Sequence, residues 1–406
     1  MHALEAYEGA PVDALRGATR RALENLVNLA MDRAVAFVLI AGDLYDGDWK
    51  DYNTGLLFTA QMRRLREAGI PVFLTAGNHD AASRITRTLR LPEGVHLFSS
   101  ESPETLRLEG LDAAVHGQSF ATPAVRRDLA AGFPEPVPGC FNIGLLHTCA
   151  TGREGHEPYA PCTLETLLGK GYDYWALGHV HRREMLCEDP PIVFPGNTQG
   201  RHARETGPKG CMLVSVDGQG RAETAFHPLD AARWFVETVD ASKDRTGYDV
   251  VDRAVARFEA LLEENPDIPL VVRVRIHGES RAHEALASDV EQWTQEIRAA
   301  ALETGGERLF VEKVRVETTP PVDEKAGGAA SGPVAELRRV LDEIAADPAE
   351  LEALAGVLDD LERKLPRELR EAEGGPALTD PEWVGRVLEQ VRPMLVRRLV
   401  REEEAS

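Results

Sequence analysis

The chain has 406 residues, with 46 Lys and Arg against 67 Asp and Glu, a net charge of −21 and 43% hydrophobic residues. At roughly 100–200 residues per domain this is two or three domains with a real core, which excludes a wholly disordered chain. The charge excludes a nucleic-acid binder that works through bulk positive charge, so contact with such a polyanion would need a local basic patch or bound metal.

In chain order, Pro11 opens an amphipathic helix over 11–34, in which Leu15, Ala22, Leu26 and Leu29 recur at helical spacing. Phe37–Ala41 is continuously apolar, as a strand covered on both faces is, and ends in Gly42-Asp43. A second helix over 53–68 closes at Gly69, and the strand Pro71–Thr75 leads into Gly77-Asn78-His79-Asp80. Further strands are expected at Ala113–His116, at Ile143–His147 and at Tyr174–Leu177, which runs into Gly178-His179-Val180-His181. Ile192–Phe194 and Cys211–Val216 close a first domain over 1–228. A second unit over 229–318 reads β-α-β-α-β: strand Trp234–Val239, helix 249–264, strand Leu270–Ile276, helix 282–303, strand Leu309–Glu317. Residues 319–333 form a Pro/Gly/Ala linker, and 334–406 a charged helical tail broken at Pro366 and Gly374-Gly375. The class is α/β with polar residues gathered at strand C-termini, the edge where such folds build sites.

No run of about 18 apolar residues is present, which excludes a membrane-spanning helix. The start, MHALEAYEGAPVD, lacks the basic and apolar regions of a secretion signal. Five cysteines at 140, 149, 162, 187 and 211 form no C-x-x-C pair. That pattern fits a reducing, cytoplasmic setting.

The chemistry concentrates in four motifs, each behind an apolar strand: Gly42-Asp43, Gly77-Asn78-His79-Asp80, Leu146-His147-Thr148 and Gly178-His179-Val180-His181. A two-metal hydrolytic site needs a bridging carboxylate, imidazoles and a neutral oxygen ligand, and strand ends deliver them to one edge. Singly, each signal is weak; the ordered set is specific. It resembles the calcineurin-like metallophosphoesterases. Ala41-Gly42-Asp43-Leu44-Tyr45-Asp46, Tyr52-Asn53-Thr54-Gly55 and Pro195-Gly196-Asn197-Thr198-Gln199-Gly200-Arg201-His202 resemble one branch, the YhaO-type DNA repair exonucleases related to SbcD.

The resemblance implies a four-layer β-sandwich flanked by helices, a small α+β capping domain and a helical C-terminal tail. It implies two divalent ions, expected to be Mn²⁺. Asp43 would bridge them, Asn78, His147 and His179 would complete one site, and His181 would bind the other. His79 would protonate the leaving oxygen, and Asp80 would orient His79. The implied partners are DNA and an SMC-like coiled-coil ATPase docked on the tail, with a homodimer as a further expectation and no membrane. The family's opening Asp-x-His occurs nowhere in this sequence. The expectation is therefore a chain that starts late, with one well-held ion and a weak second site.

Arg201, His202, Arg204 and Lys209 form a basic, glycine-flanked loop suited to positioning phosphate. Arg273, Arg275, Lys313 and Arg315 would share one face if their strands are neighbours; this is either a DNA-backbone contact or a solvated face. Two other functions stay open at this point: a phosphomonoesterase or cyclic-nucleotide phosphodiesterase on the same core, and a non-catalytic scaffold.

Overall fold

A computed structural model describes residues 17–44, 52–82, 91–150, 159–321, 332–365, 378–388, 391–392 and 395. By contact density the chain divides into two compact units. One comprises 1–239, 248–276 and 289–317; the other comprises 240–247, 277–288 and 318–406.

The first unit begins with α1 (Ala18–Asp32), β1 (Val38–Ala41), α2 (Tyr52–Glu67), β2 (Val72–Thr75), the five-residue α3 (Asn78–Ala82) and β3 (Val95–Leu97). It continues through β4 (Glu104–Leu108), β5 (Ala113–Gln118), β6 (Phe141–His147), α4 (Leu164–Leu168), β7 (Tyr174–Gly178), β8 (Glu184–Glu188) and β9 (Pro191–Phe194). A β-hairpin, β10 (Gly210–Val216) with β11 (Ala222–Pro228), follows. β1, β2 and β3 form a parallel sheet. A six-stranded sheet has the order β4-β5-β6-β7-β9-β8; its four central strands run parallel, and β4 and β8 pair antiparallel at the edges.

Side-chain alternation along these strands builds the layers. Val72 of β2 packs with Val27, Phe58 and Met62 of the two helices, whereas Phe73 turns to the six-stranded sheet. Ile143 and Leu145 of β6, Tyr174 of β7 and Val193 of β9 meet Phe73 between the sheets. Their neighbours Leu146, Trp175, Leu177, Ile192 and Phe194 face outward, under Phe120, Leu129, Phe133 and Leu167. Helices, sheet, sheet and an outer cover of loop and short helix make four layers, as expected from the sequence.

β12 (Arg233–Asp240), α5 (Gly247–Glu264), β13 (Leu270–Glu279), α6 (His283–Ser288), α7 (Val290–Gly305) and β14 (Leu309–Thr319) follow, with strand order β12-β13-β14. The single helix expected over 282–303 is two helices, because Asp289 leaves helical backbone and its carboxylate caps the second by accepting the Gln292 N–H at 2.9 Å. Two of the four cations expected on one face are paired with carboxylates. Arg273 makes two bonds of 2.9 Å to Glu312, and Arg275 pairs with Glu317 at 2.5 Å. α8 (Pro333–Ala346), α9 (Pro348–Val357) and α10 (Asp359–Lys364) belong to the second unit. The breaks expected at Pro366 and Gly374-Gly375 and most of the 319–333 linker lie outside the described residues. Among the described residues no helix is long and apolar enough to cross a membrane.

Candidate metal centre

β1 pairs with β2 so that Ala41 lies opposite Thr75, and β6 pairs with β7 so that His147 lies opposite Gly178. The C-terminal ends of four strands from two facing sheets therefore converge. Asp43, His147 and His179 present one ligand atom each, all within 4.8 Å of one another. Asn78 joins them, with Oδ1 at 3.0 Å from His147 Nε2. Asp43 Oδ2 lies 3.4 Å from the same nitrogen.

The tautomer of His147 gives this meaning. Nδ1 lies 2.9 Å from the backbone carbonyl of Ala41, which can only accept, so Nδ1 carries the proton. The ring is fully buried. Burial pushes its pKa below the ordinary value, outweighing the nearby Asp43 carboxylate. A neutral ring protonated at Nδ1 leaves a lone pair on Nε2, facing two further oxygen lone pairs. Such a cluster of acceptors repels itself unless a cation sits among them, and a carboxylate, an amide oxygen and two imidazoles suit a divalent ion.

The backbone is bent to make room. Asp43 has φ of 51° and His179 φ of 100°, both in the region that ordinary side chains avoid. Non-glycine residues are held there only where the surroundings over-determine them, which occurs chiefly at functional sites. A Cβ on Gly42 would lie 2.5 Å from His147 Nδ1, and one on Gly178 would overlap the Ala41 carbonyl. These two glycines permit the close approach of three chain segments around one imidazole.

Two residues fix the ligand loops. Asp43 Oδ1 accepts the His79 N–H at 3.1 Å. Buried Asp80 accepts the N–H of Gly77 at 3.0 Å and of Leu44 at 3.3 Å through Oδ2, tying the β1 and β2 loops together. These two bonds make Asp80 a backbone clamp, a role beside the expected one of orienting the His79 ring. The His79 side chain is exposed.

His181 is not part of the three-residue cluster. Its Nδ1 donates to Glu205 Oε1 at 2.8 Å, which places the ring's available lone pair on Nε2. Glu205, absent from the sequence reading, organises the whole basic loop. It also accepts from Arg201 N and from Asn197 Nδ2, at 2.8 and 2.9 Å, and Arg201 Nη2 lies 3.2 Å from Oε1. Burial alone would raise its pKa, but the hydrogen bonds from His181 and Arg201 and the Arg201 charge hold it far below the usual carboxylate range. His202 Nε2 stands 3.9 Å away. Lys209 is buried, which pushes its pKa down against the pull of Glu205 and Asp230. Arg204 is exposed. Arg201, His202 and Lys209 thus gather round a carboxylate. Phe120 and Tyr159, also unforeseen, pack edge-on against His147 and His179, with ring centroids at 5.3 and 5.9 Å.

Comparison with known proteins agrees with this geometry. Residues 2–183 match the calcineurin-like phosphoesterase family model, and residues 234–319 match the middle domain of metallophosphoesterase YhaO. Residues 2–183 therefore carry the calcineurin-like metallophosphoesterase domain, whose family uses divalent metal ions. It is 35% identical over 268 residues to the uncharacterized metallophosphoesterase YhaO of Bacillus subtilis, a match covering 65% of each chain. It is 25% identical over 400 residues to the DNA double-strand break repair protein Mre11 of Methanopyrus kandleri, covering 88% of this chain and 80% of the relative. A third relative, Mre11 of Sulfurisphaera tokodaii, is 26% identical over 265 residues, covering 59% of this chain and 65% of the relative. The chain thus spans just under two thirds of the length of YhaO.

Proposed function

We propose that this chain is a metal-dependent phosphodiesterase that cuts DNA, an exonuclease of DNA repair. The carrying observation is the unprotonated Nε2 of His147 facing Asn78 Oδ1 and Asp43 Oδ2 at 3.0 and 3.4 Å. The relation to Mre11 proteins, whose name is that of DNA double-strand break repair, points to DNA as the substrate.

Asp43, Asn78, His147 and His179 would hold one ion, and Asp43 with His181 a second, weaker one; Mn²⁺ suits this ligand set. Divalent ions bound there supply the acidification of a water and positive charge against the transferring phosphate. The protein contributes alignment and a proton. The Nδ1–H of His147, anchored on Ala41, keeps that ring in its ligating tautomer. The His79 backbone N–H fixes the Asp43 carboxylate, and its exposed imidazole donates a proton to the leaving oxygen.

The domain division in this reading is a phosphoesterase core over 1–228, a capping, DNA-binding domain over 229–318 and a partner-binding tail from 334. Val357 and Leu361, 76% and 51% exposed on neighbouring tail helices, support an apolar docking face for an ATPase coiled coil. The full chain should degrade linear duplex or single-stranded DNA with Mn²⁺ and not with EDTA. Hydrolysis of cyclic nucleotides or a chromogenic phosphate monoester, with DNA left intact, would overturn the nuclease assignment.

A further inference from the structure

A cavity of about 330 Å³ opens at the C-terminal end of β5, lined by Ser100, Ser119, Thr122, Arg126 and Arg127 over a floor that includes Val125 and Leu129. It adjoins the metal centre on two flanks. Ser119 Oγ accepts the Ala76 N–H at 3.0 Å, immediately before Gly77-Asn78, and the Phe120 N–H returns to the Ala76 carbonyl at 2.9 Å. On the other flank the Val125 carbonyl accepts the Ala160 N–H at 2.6 Å, next to Tyr159, whose ring packs on His179.

The two arginines are held outward by a fixed loop. Val125 and Leu129 are buried on either side of them, and Arg126 and Arg127 are exposed. Neither guanidinium has an ion-pair or hydrogen-bond partner among the described residues. Among the described residues, none that lines the cavity is acidic. Asp128, the nearest acid in sequence, caps the Ala131 N–H at 3.1 Å. Elsewhere in this acidic chain exposed arginines such as Arg275 and Arg339 are neutralised by carboxylates. The Ser119 hydroxyl donates to the Phe98 carbonyl at 2.6 Å and serves the fold, but an adjacent pair of guanidinium groups with no described partner, beside the hydroxyls of Ser100 and Thr122, has the chemistry of a phosphate site: guanidinium forks match phosphate oxygens, and those hydroxyls supply further donors.

We propose that this cavity is a second phosphate site, which takes a backbone phosphate of the same polynucleotide strand whose scissile phosphate lies at the metal centre. The proposal rests on the DNA reading above. It explains how a chain of net charge −21 engages a polyanion: through a local pair of cations and bound metal rather than bulk charge.

The test uses the full chain with Arg126→Gln and Arg127→Gln together, and a charge-matched control carrying Arg33→Gln and Lys243→Gln at exposed positions remote in sequence. Anisotropy of a labelled single-stranded oligonucleotide is followed in EDTA across a salt series. Loss of two phosphate contacts should reduce the slope of log affinity against log salt by about 1.4 and weaken binding about tenfold or more. With Mn²⁺, KM for the oligonucleotide should rise while hydrolysis of bis(p-nitrophenyl) phosphate, a diester with no neighbouring phosphate, stays unchanged. If the wild-type chain binds and cuts DNA but the double variant keeps its slope and affinity, the subsite is wrong and the nuclease reading stands. An equal loss in the control variant, or a parallel loss with the small diester, also overturns it. A wild-type chain that hydrolyses the small diester but neither binds nor cuts any polynucleotide refutes the DNA reading, and the backbone site falls with it.

Discussion

Replacing Asp80 with Ala separates two accounts of that residue. Its carboxylate accepts two backbone N–H groups, from Gly77 at 3.0 Å and Leu44 at 3.3 Å. Hydrogen bonds to charged groups contribute about 1.5–3 kcal/mol each, and the longer, half-buried Leu44 bond belongs at the lower end, so their joint loss should cost about 3 kcal/mol. Against a total domain stability of about 5–15 kcal/mol this is a large fraction, and it falls on the loops that carry Asp43 and Asn78. Metal affinity should drop about 10–100-fold, as it does when the groups behind ligands are removed. Asp80→Asn, whose amide oxygen can still accept, should recover much of the stability. Urea midpoints, Mn²⁺ titration calorimetry and exchange rates of the Leu44 and Gly77 amides read this directly. If Asp80→Ala keeps its unfolding midpoint and amide protection while turnover collapses, the clamp argument fails and the carboxylate acts through the His79 ring.

His79→Ala should cut turnover by about 10²–10⁴ with metal content by elemental analysis nearly unchanged; parallel loss of metal would make His79 a ligand. Gly178→Ala should remove metal binding, since the added methyl collides with the Ala41 carbonyl that orients His147; calorimetry showing wild-type affinity would contradict this. His116 should set an acid limit. It is buried, its Nδ1 accepts from Thr105 at 2.8 Å, and its Nε2 donates to Asn142 at 3.0 Å. Burial lowers its pKa in the folded chain, so below about 6.5 the unfolded chain takes up a proton that the folded chain refuses. Stability should therefore fall as pH drops from about 6.5 towards the folded value, by at most about 1.4 kcal/mol per pH unit from this group. His116→Phe should flatten that segment of the stability curve, and an unchanged slope would remove His116 from the account.

The layers were legible where the sequence carried strong periodicity. β1, β2, β6, β7 and β9 are apolar runs packed on both faces, β1 only half-buried, and each of the ligand-bearing ones reaches a glycine or a lone histidine at its end or within two residues of it. β4 and β8 escaped notice because they are edge strands with exposed alternate residues, ETLRL and EMLCE, that read equally as loop. The split between α6 and α7 was hidden because the apolar pattern runs on through Asp289, and only the cap geometry marks the break. Asp43, His147 and His179, singled out as ligands by the motifs and the family resemblance, do lie together, because the strands that carry them end at one edge. What Asp80 holds could not be read, since the Gly77 and Leu44 N–H groups lie 3 and 36 residues away along the chain.

Glu205 shows the same boundary from the other side. Local composition marked its loop as a cationic surface for phosphate. Folding places the one acid among those cations at the centre, where it is 5% exposed and takes bonds from His181, Arg201 and Asn197. A buried carboxylate stays ionised only if such donors surround it, so the cations near it are largely its own counter-ions rather than free to meet a substrate. Glu205→Gln tests this role of the carboxylate. The variant should weaken the proposed ion site that includes His181 while leaving the one at Asp43, Asn78, His147 and His179 intact, because the bonds that fix Asp43, Asn78 and His147 run among the ends of β1, β2 and β6. Mn²⁺ titration should then show the tighter binding step preserved and the weaker one lost. Loss of both steps together would mean that the loop supports the whole centre and not the His181 side alone.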